Sequence, residues 1–144
     1  MKREIHVATT ESQLRACYPV MRELRDHLDE ETFLRMVEHQ AVTQQYRLAY
    51  LALEGVPACV AGYRVADNLS AGRHLYVDDL ATASEHRRKG LASAMLAWLE
   101  EEAQRLECGS LHLDSGVQRH GAHRLYIGAG MDIVFYHFKK QLAG

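Results

Sequence analysis

Paired cysteines, prolines and long apolar or single-sign runs are all scarce in this chain of 144 residues, and each scarcity narrows what the protein can be. Cys17, Cys59 and Cys108 lie far apart and form no C-x-x-C pair, so free thiols in a reducing compartment are expected rather than a disulfide framework. Lys and Arg number 17 against 19 Asp and Glu, a net charge of -2, which denies the chain the broad positive footprint that non-specific nucleic-acid binding needs. The opening MKREIHVATT has no apolar run of signal length, and no stretch approaches the length that crosses a bilayer, so a cytoplasmic protein without a membrane partner is expected. The two prolines, Pro19 and Pro57, mark no linker, and no repeat or low-complexity tract is present. One domain spanning 1–144, large enough to bury its own core, is the expectation.

What is present is a regular alternation of patterns. Residues 3–8 alternate as a strand. Thr10 and Gln13 fit a capping box ahead of Leu14, Cys17, Tyr18, Met21, Leu24 and Leu28 at helical spacing, with Pro19 predicting a kink or break. Asp29 is placed to cap a second helix through about Gln40. YRLAYLALEGVPACVAGYRVA reads as two strands joined at Glu54-Gly55, NLSAG (68–72) as a turn, and 73–82 as a third strand. An amphipathic helix runs from Arg88 to about Leu106, then a strand over 110–115, a short helix over 120–129 and a terminal strand over 131–142. The class is α/β: a mixed central sheet with helices on both faces.

The stretch SEHRRKGLASAML (84–96) carries four consecutive side chains that are basic or can become so, His86, Arg87, Arg88 and Lys89, directly before the strongest helix. Cations at a helix N-terminus oppose the macrodipole unless an anion is bound there, and the first turn leaves backbone N–H groups unpartnered. Gly90 removes a side chain where an anion must approach the backbone, and Ala92 is nearly as small. The P-loop spacing G-x-x-x-x-G-K-[ST] is not met, nor is a dinucleotide G-x-G-x-x-G after the first strand.

Arg87-Arg88-Lys89-Gly90-Leu91-Ala92 does match [QR]-x-x-G-x-[GA], and its context LYVDDLATASEHRRKGLASAMLAWLEEEA resembles the central strand, pyrophosphate loop and helix of the GNAT superfamily of N-acetyltransferases. AHRLYIGAGMDIVFYHFKK resembles that family's last helix and strand, with Ala122, Tyr126 and Gly130 at A-x-x-x-Y-x-x-x-G. The resemblance implies a single-domain GNAT-like sheet of about six to seven strands and an acetyl-CoA-dependent N-acetyltransferase. In such enzymes a primary amine of a small molecule or peptide attacks the thioester directly, in a ternary complex. By carry-over, Arg87 holds the motif's first position, and the backbone of Arg88, Lys89, Gly90, Leu91, Ala92 and Ser93 cradles the pyrophosphate. Leu80, Ala81 and Thr82 pair with the pantetheine arm as an added strand. Tyr126 is implied as the acid that protonates the departing thiolate, which suits a phenol of pKa about 10. Many members carry an asparagine seven residues before that tyrosine; here it is Arg119.

A base must take the amine's proton, and Asp78, Asp79, Glu85 and Asp114 are the acidic candidates, with Asp79 and Asp114 foremost. Adjacent on one strand, Asp78 and Asp79 are expected on opposite faces. His112, Asp114, His120 and His123 match no strong zinc spacing, so no metal is expected. Tyr63, Arg64 and Tyr76 are candidates for the acceptor side, and the acidic turn DHLDEE (26–31) for attracting a cationic amine, although solvated helix ends explain it equally well. A homodimer is a family-level expectation. The alternative from another class is a non-catalytic acyl-CoA sensor or scaffold on the same fold.

Overall fold

In the computed structural model, which describes residues 3–143, Thr10 and Gln13 close the expected capping box: the Thr10 hydroxyl accepts from the Gln13 N–H at 3.1 Å, and the Gln13 side-chain oxygen accepts from the Thr10 N–H at 3.1 Å. They start α1 (Glu11–Leu24), which continues through Pro19 rather than breaking there. Pro19 removes one hydrogen bond from an interior turn, a cost of about 3 kcal/mol. Burying Cys17, Val20 and Met21 against the sheet offsets it, at roughly 1.5–3 kcal/mol for each large apolar side chain. Asp29 accepts from the Thr32 N–H at 2.7 Å and caps α2 (Glu30–Gln44), which runs one turn beyond the expected Gln40. It stops where Gln45 turns left-handed and the Tyr46 N–H reaches back to the Gln40 carbonyl.

The chain forms two compact units, Met1–Leu113 and Asp114–Gly144. The first holds β1 (Arg3–Val7), α1, α2, β2 (Arg47–Leu53), β3 (Val56–Asn68), β4 (Gly72–Thr82), α3 (Leu91–Arg105) and β5 (Leu111–Leu113). Glu54 and Gly55, both at positive φ, make the two-residue hairpin turn between β2 and β3. The strands lie in the order β1-β2-β3-β4-β5, antiparallel until the last pair. β4 and β5 are parallel.

Helices α1 and α2 cover one face, where Cys17, Met21, Phe33 and Leu34 pack with Leu48, Val60 and Ala81. Helix α3 covers the other with Leu91, Met95, Leu96, Leu99 and Ala103, the positions its periodicity predicts. There the Tyr63 hydroxyl donates to Glu102 at 2.8 Å, and Arg105 donates to the same carboxylate at 2.7 Å. The hydrogen bond from Arg105 is the main reason that Glu102 titrates below its ordinary range, with Tyr63 adding to it and burial opposing. A depressed carboxylate pKa stabilises the fold above the unfolded-state value of about 4.3 and loses that contribution as pH falls through the folded-state value. Acid unfolding of Glu102→Gln, followed by circular dichroism, is therefore expected to depend less on pH below that value than acid unfolding of the parent protein.

The second unit holds α4 (His120–Gly128). The expected terminal strand over 131–142 is not formed, and the sheet has five strands among the described residues, rather than six to seven. Ile133, Val134, Phe135, Tyr136 and Phe138 are exposed. Strand preference reflects fit to a paired, half-buried surface, and these residues pair with no strand among the described residues, so their composition alone does not make one.

Candidate functional site

Two of the three long helices in the first unit begin on a side-chain cap; α3 does not. Its N-cap is Gly90, at φ +76°, with no side-chain hydrogen bond to the first turn. The Ala94 N–H is the first to bond back, to the Gly90 carbonyl at 3.1 Å, so the N–H groups of Gly90, Leu91, Ala92 and Ser93 precede the helical ladder. Arg88, two residues earlier, is also left-handed at φ +65°. Alternating left-handed residues curl successive N–H groups into a concavity suited to anions. A Cβ placed on Gly90 would meet nothing within 4 Å. Glu23 of α1 anchors the start of the loop, accepting from the Ser84 N–H at 3.0 Å and from Arg87 at 3.5 Å, while Lys89 Nζ stands 3.0 Å from His86 Nδ1. The arrangement fits a pyrophosphate: backbone donors, positive charge and no side chain at the mouth.

The loop emerges from the end of β4, where Leu80 and Ala81 are buried and Thr82 donates to the Cys59 sulfur at 3.6 Å. β4 pairs with β5 only from Leu75 to Val77, so among the described residues the edge of Asp78–Thr82 on that side has no ladder partner. An extended ligand can add there as a strand.

A bulge precedes this open edge. Val77 pairs with Tyr63 and Asp79 with Gly62, leaving Asp78 as the extra residue. The bulge overturns the expectation that the two carboxylates face opposite sides. Asp78 accepts from Arg64 at 2.9 and 3.3 Å, and Asp79 accepts from Tyr46 at 2.7 Å and from Arg25 at 2.8 Å. Arg64 and Gly62 share the α1/α2 face of β3, so both carboxylates lie on that face. Arg25 also donates to the Asp78 carbonyl at 3.0 Å, tying the bulge to the end of α1. Burial raises the Asp78 carboxyl above its ordinary value, against the opposing pull of Arg64. Burial, then the charge of Asp79, pushes the Tyr46 phenol well above its ordinary value, so it stays a donor.

Tyr46 reaches Asp79 by lying across β3 at Gly62. A Cβ on Gly62 would overlap the Tyr46 hydroxyl and Cζ and stand 2.8 Å from Asp79 Oδ2. No motif or spacing in the sequence singles out Tyr46, Arg25 or Gly62. An isolated glycine inside a strand pattern is the one available signal of a close approach.

Asp79, Tyr46 and Arg25 stand on the wall of a cavity of about 220 Å³ between α1, α2 and β4, with His27, Gln40, Phe33 and Met36 also lining it. Of the acidic turn, His27 and Leu28 line the cavity, whereas Asp29 caps α2, and Glu30 and Glu31 pair with Arg15 at 2.7 and 2.9 Å. Tyr63 faces α3 and is core, whereas Arg64 lies 4.9 Å over the Tyr76 ring. Glu85 is exposed beside His86. The His112 ring lies tilted against that of His74, their centroids 4.5 Å apart. Among the described residues no group of three or more His, Cys, Asp or Glu side chains converges as a metal site. Nor is any helix of the described residues long and apolar enough to cross a membrane. Burial raises the thiols of Cys17 to about 12 and of Cys59 to about 11, which leaves both unreactive.

In the second unit Tyr126 is buried on α4, and Arg119 stands at that helix's N-cap. Asp114 accepts from His137 Nδ1 at 2.8 Å, a pairing that no sequence spacing announces. The Ser115 hydroxyl is buried without a hydrogen-bond partner among the described residues.

A family model described as the acetyltransferase (GNAT) family matches residues 8–131. The chain is 32% identical over 133 residues to an uncharacterized N-acetyltransferase, YhdJ, of Bacillus subtilis, covering 92% of this chain and 94% of that one. Among solved structures it is similar to a GNAT family acetyltransferase of Staphylococcus aureus, with TM-score 0.82, 20% identity, 99% of this chain and 100% of that one. It is similar also to a ribosomal-protein-alanine N-acetyltransferase of Brucella melitensis, with TM-score 0.82, 15% identity, 98% of this chain and 100% of that one.

Proposed function

The chain belongs to the GNAT acetyltransferase family, and from that premise we propose that it transfers the acetyl group of acetyl-CoA to a primary amine by direct attack in a ternary complex. The observation that carries the reading is the uncapped, glycine-started N-terminus of α3, flanked by Arg87, Arg88 and Lys89, one loop after a strand whose edge has no ladder partner from Asp78 to Thr82 among the described residues. In this reading the N–H groups from Arg88 to Ser93 bind the pyrophosphate oxygens, and the cationic side chains balance their charge. The backbone of Leu80, Ala81 and Thr82 pairs with the pantetheine arm, and an N–H of that strand polarises the thioester carbonyl.

The acceptor enters the α1/α2 cavity. Asp79 in its wall attracts the ammonium form and takes one proton from it, which frees the lone pair that attacks the acyl carbon, and the second proton leaves the nitrogen once the N–C bond has formed. Asp114, held by His137, is the second carboxylate we assign to proton removal. The C–S bond breaks in the same sequence of steps, and Tyr126 gives its phenolic proton to the leaving sulfur.

Calorimetric titration with acetyl-CoA, beside dephospho-CoA and ATP, tests the cofactor assignment: binding that requires the pantetheine arm is expected, and absence of acetyl-CoA binding overturns it. Tyr126→Phe is expected to lower kcat by about 10²-fold or more, the scale of general acid catalysis, at unchanged acetyl-CoA affinity. Undiminished turnover would assign the proton to another donor.

A further inference from the structure

We infer that the cavity between α1, α2 and β4 selects a primary monoamine on a compact apolar body. The inference rests on the acetyl-transfer reading above and names its acceptor class. The cavity is lined by the hydrogen-bonded group Asp79, Tyr46 and Arg25, by the polar His27 and Gln40, and by an apolar set that includes Phe33, Met36 and Val37. At about 220 Å³ it is smaller than the roughly 300–1,000 Å³ of pockets for drug-sized ligands, so the part of an acceptor that it encloses is small.

Charge is the stronger constraint. Among the described residues Asp79 is the single carboxylate on the cavity wall, and it is already paired with Arg25. Asp78 is paired with Arg64, and Glu30 and Glu31 with Arg15, so none of these neighbouring carboxylates is directed at a second cation. One ammonium can share Asp79. A second drawn into the cavity would meet apolar walls, Gln40, His27 or the Arg25 guanidinium, none of which is an anion, and a charge held there without a counter-ion is disfavoured. Polyamines and aminoglycosides, with several ammonium groups, are therefore rejected, whereas a phenyl or branched alkyl body gains from burial against Phe33, Met36 and Val37.

The test compares thiol release from acetyl-CoA with phenethylamine, isopentylamine, spermidine, kanamycin and a lysine-containing peptide. The two apolar monoamines are expected to exceed the others in kcat/KM by about tenfold or more, the scale that one methylene group sets in an apolar pocket. Met36 is half-exposed on α2, so Met36→Trp fills the cavity from its rim. It is expected to lower kcat/KM for phenethylamine by about tenfold with the acetyl-CoA Kd unchanged. Arg25→Gln is expected to shift preference toward spermidine, most strongly at low salt, a readout that loss of packing would not produce.

Preference for spermidine, kanamycin or the lysine peptide in the parent protein overturns the inference and leaves acetyl transfer standing. Acetyl-CoA binding with no turnover of either apolar monoamine also overturns it. If acetyl-CoA does not bind, the reading beneath fails first. Calorimetric titration with phenethylamine alone then decides the pocket: binding lost in Met36→Trp supports the cavity assignment, and no binding to the parent protein overturns it.

Discussion

Gly62→Ala is expected to cost about 1–3 kcal/mol, the scale of overpacking in a close-packed interior, although only one methyl group is added. The methyl has no free space, because it overlaps the Tyr46 hydroxyl and crowds Asp79 at the centre of the sheet. Relief requires Tyr46 to swing away, which breaks its 2.7 Å hydrogen bond and leaves a buried phenol and one oxygen of Asp79 without that partner. Stability should therefore fall together with acceptor kcat/KM, because Asp79 is held by both Tyr46 and Arg25. Thermal unfolding and thiol-release kinetics measure the two effects. A double-mutant cycle with Tyr46→Phe isolates the contact: part of the alanine's penalty should vanish once the hydroxyl is gone, giving a coupling of about 0.5–3 kcal/mol. Strict additivity of the two substitutions would show that Gly62 serves the sheet for some other reason.

Gly90→Val should separate binding from stability in the opposite sense. The residue is exposed, and its Cβ would meet no neighbour, so packing offers little resistance. Its φ of +76° is costly for an L-residue, by about 1–2 kcal/mol, and more so for a β-branched one. The cheapest relaxation rotates the loop out of the left-handed region and turns the first-turn N–H groups away from a common focus. Losing one or two charge-assisted hydrogen bonds, each about 1.5–3 kcal/mol, should weaken acetyl-CoA binding by about a hundredfold, while unfolding shifts by only a few degrees. Calorimetry and thermal unfolding on the same preparation give both numbers, and an unchanged Kd would refute the cradle.

Most of the architecture was legible because it is local. A capping box, a two-residue hairpin turn with both residues at positive φ, and the spacing of Leu91, Met95, Leu96 and Leu99 each depend on neighbours a few residues away. The family resemblance is legible for the same reason: Arg87 to Ala92 is one continuous stretch of sequence. Where local signals misled, burial or strand pairing outweighed them. Of the kink or break expected at Pro19, the break does not occur because its neighbours are buried, and 131–142 forms no strand because strand-forming residues still need a partner edge.

By itself, then, the sequence determined the succession of elements as far as α4, the anion-suited start of α3 and the membership that follows from it, since these are properties of contiguous residues. Only the tertiary structure decided what surrounds Asp79. The bulge that turns Asp78 and Asp79 to one face is a register shift between β3 and β4, and a register is a relation between two strands. Tyr46 and Arg25 converge on Asp79 from 33 and 54 residues away. The missing side chain that lets Tyr46 reach it belongs to a third segment, β3. No periodicity within any one segment encodes such a meeting, because it exists only once the strands are paired and the helices are packed on them.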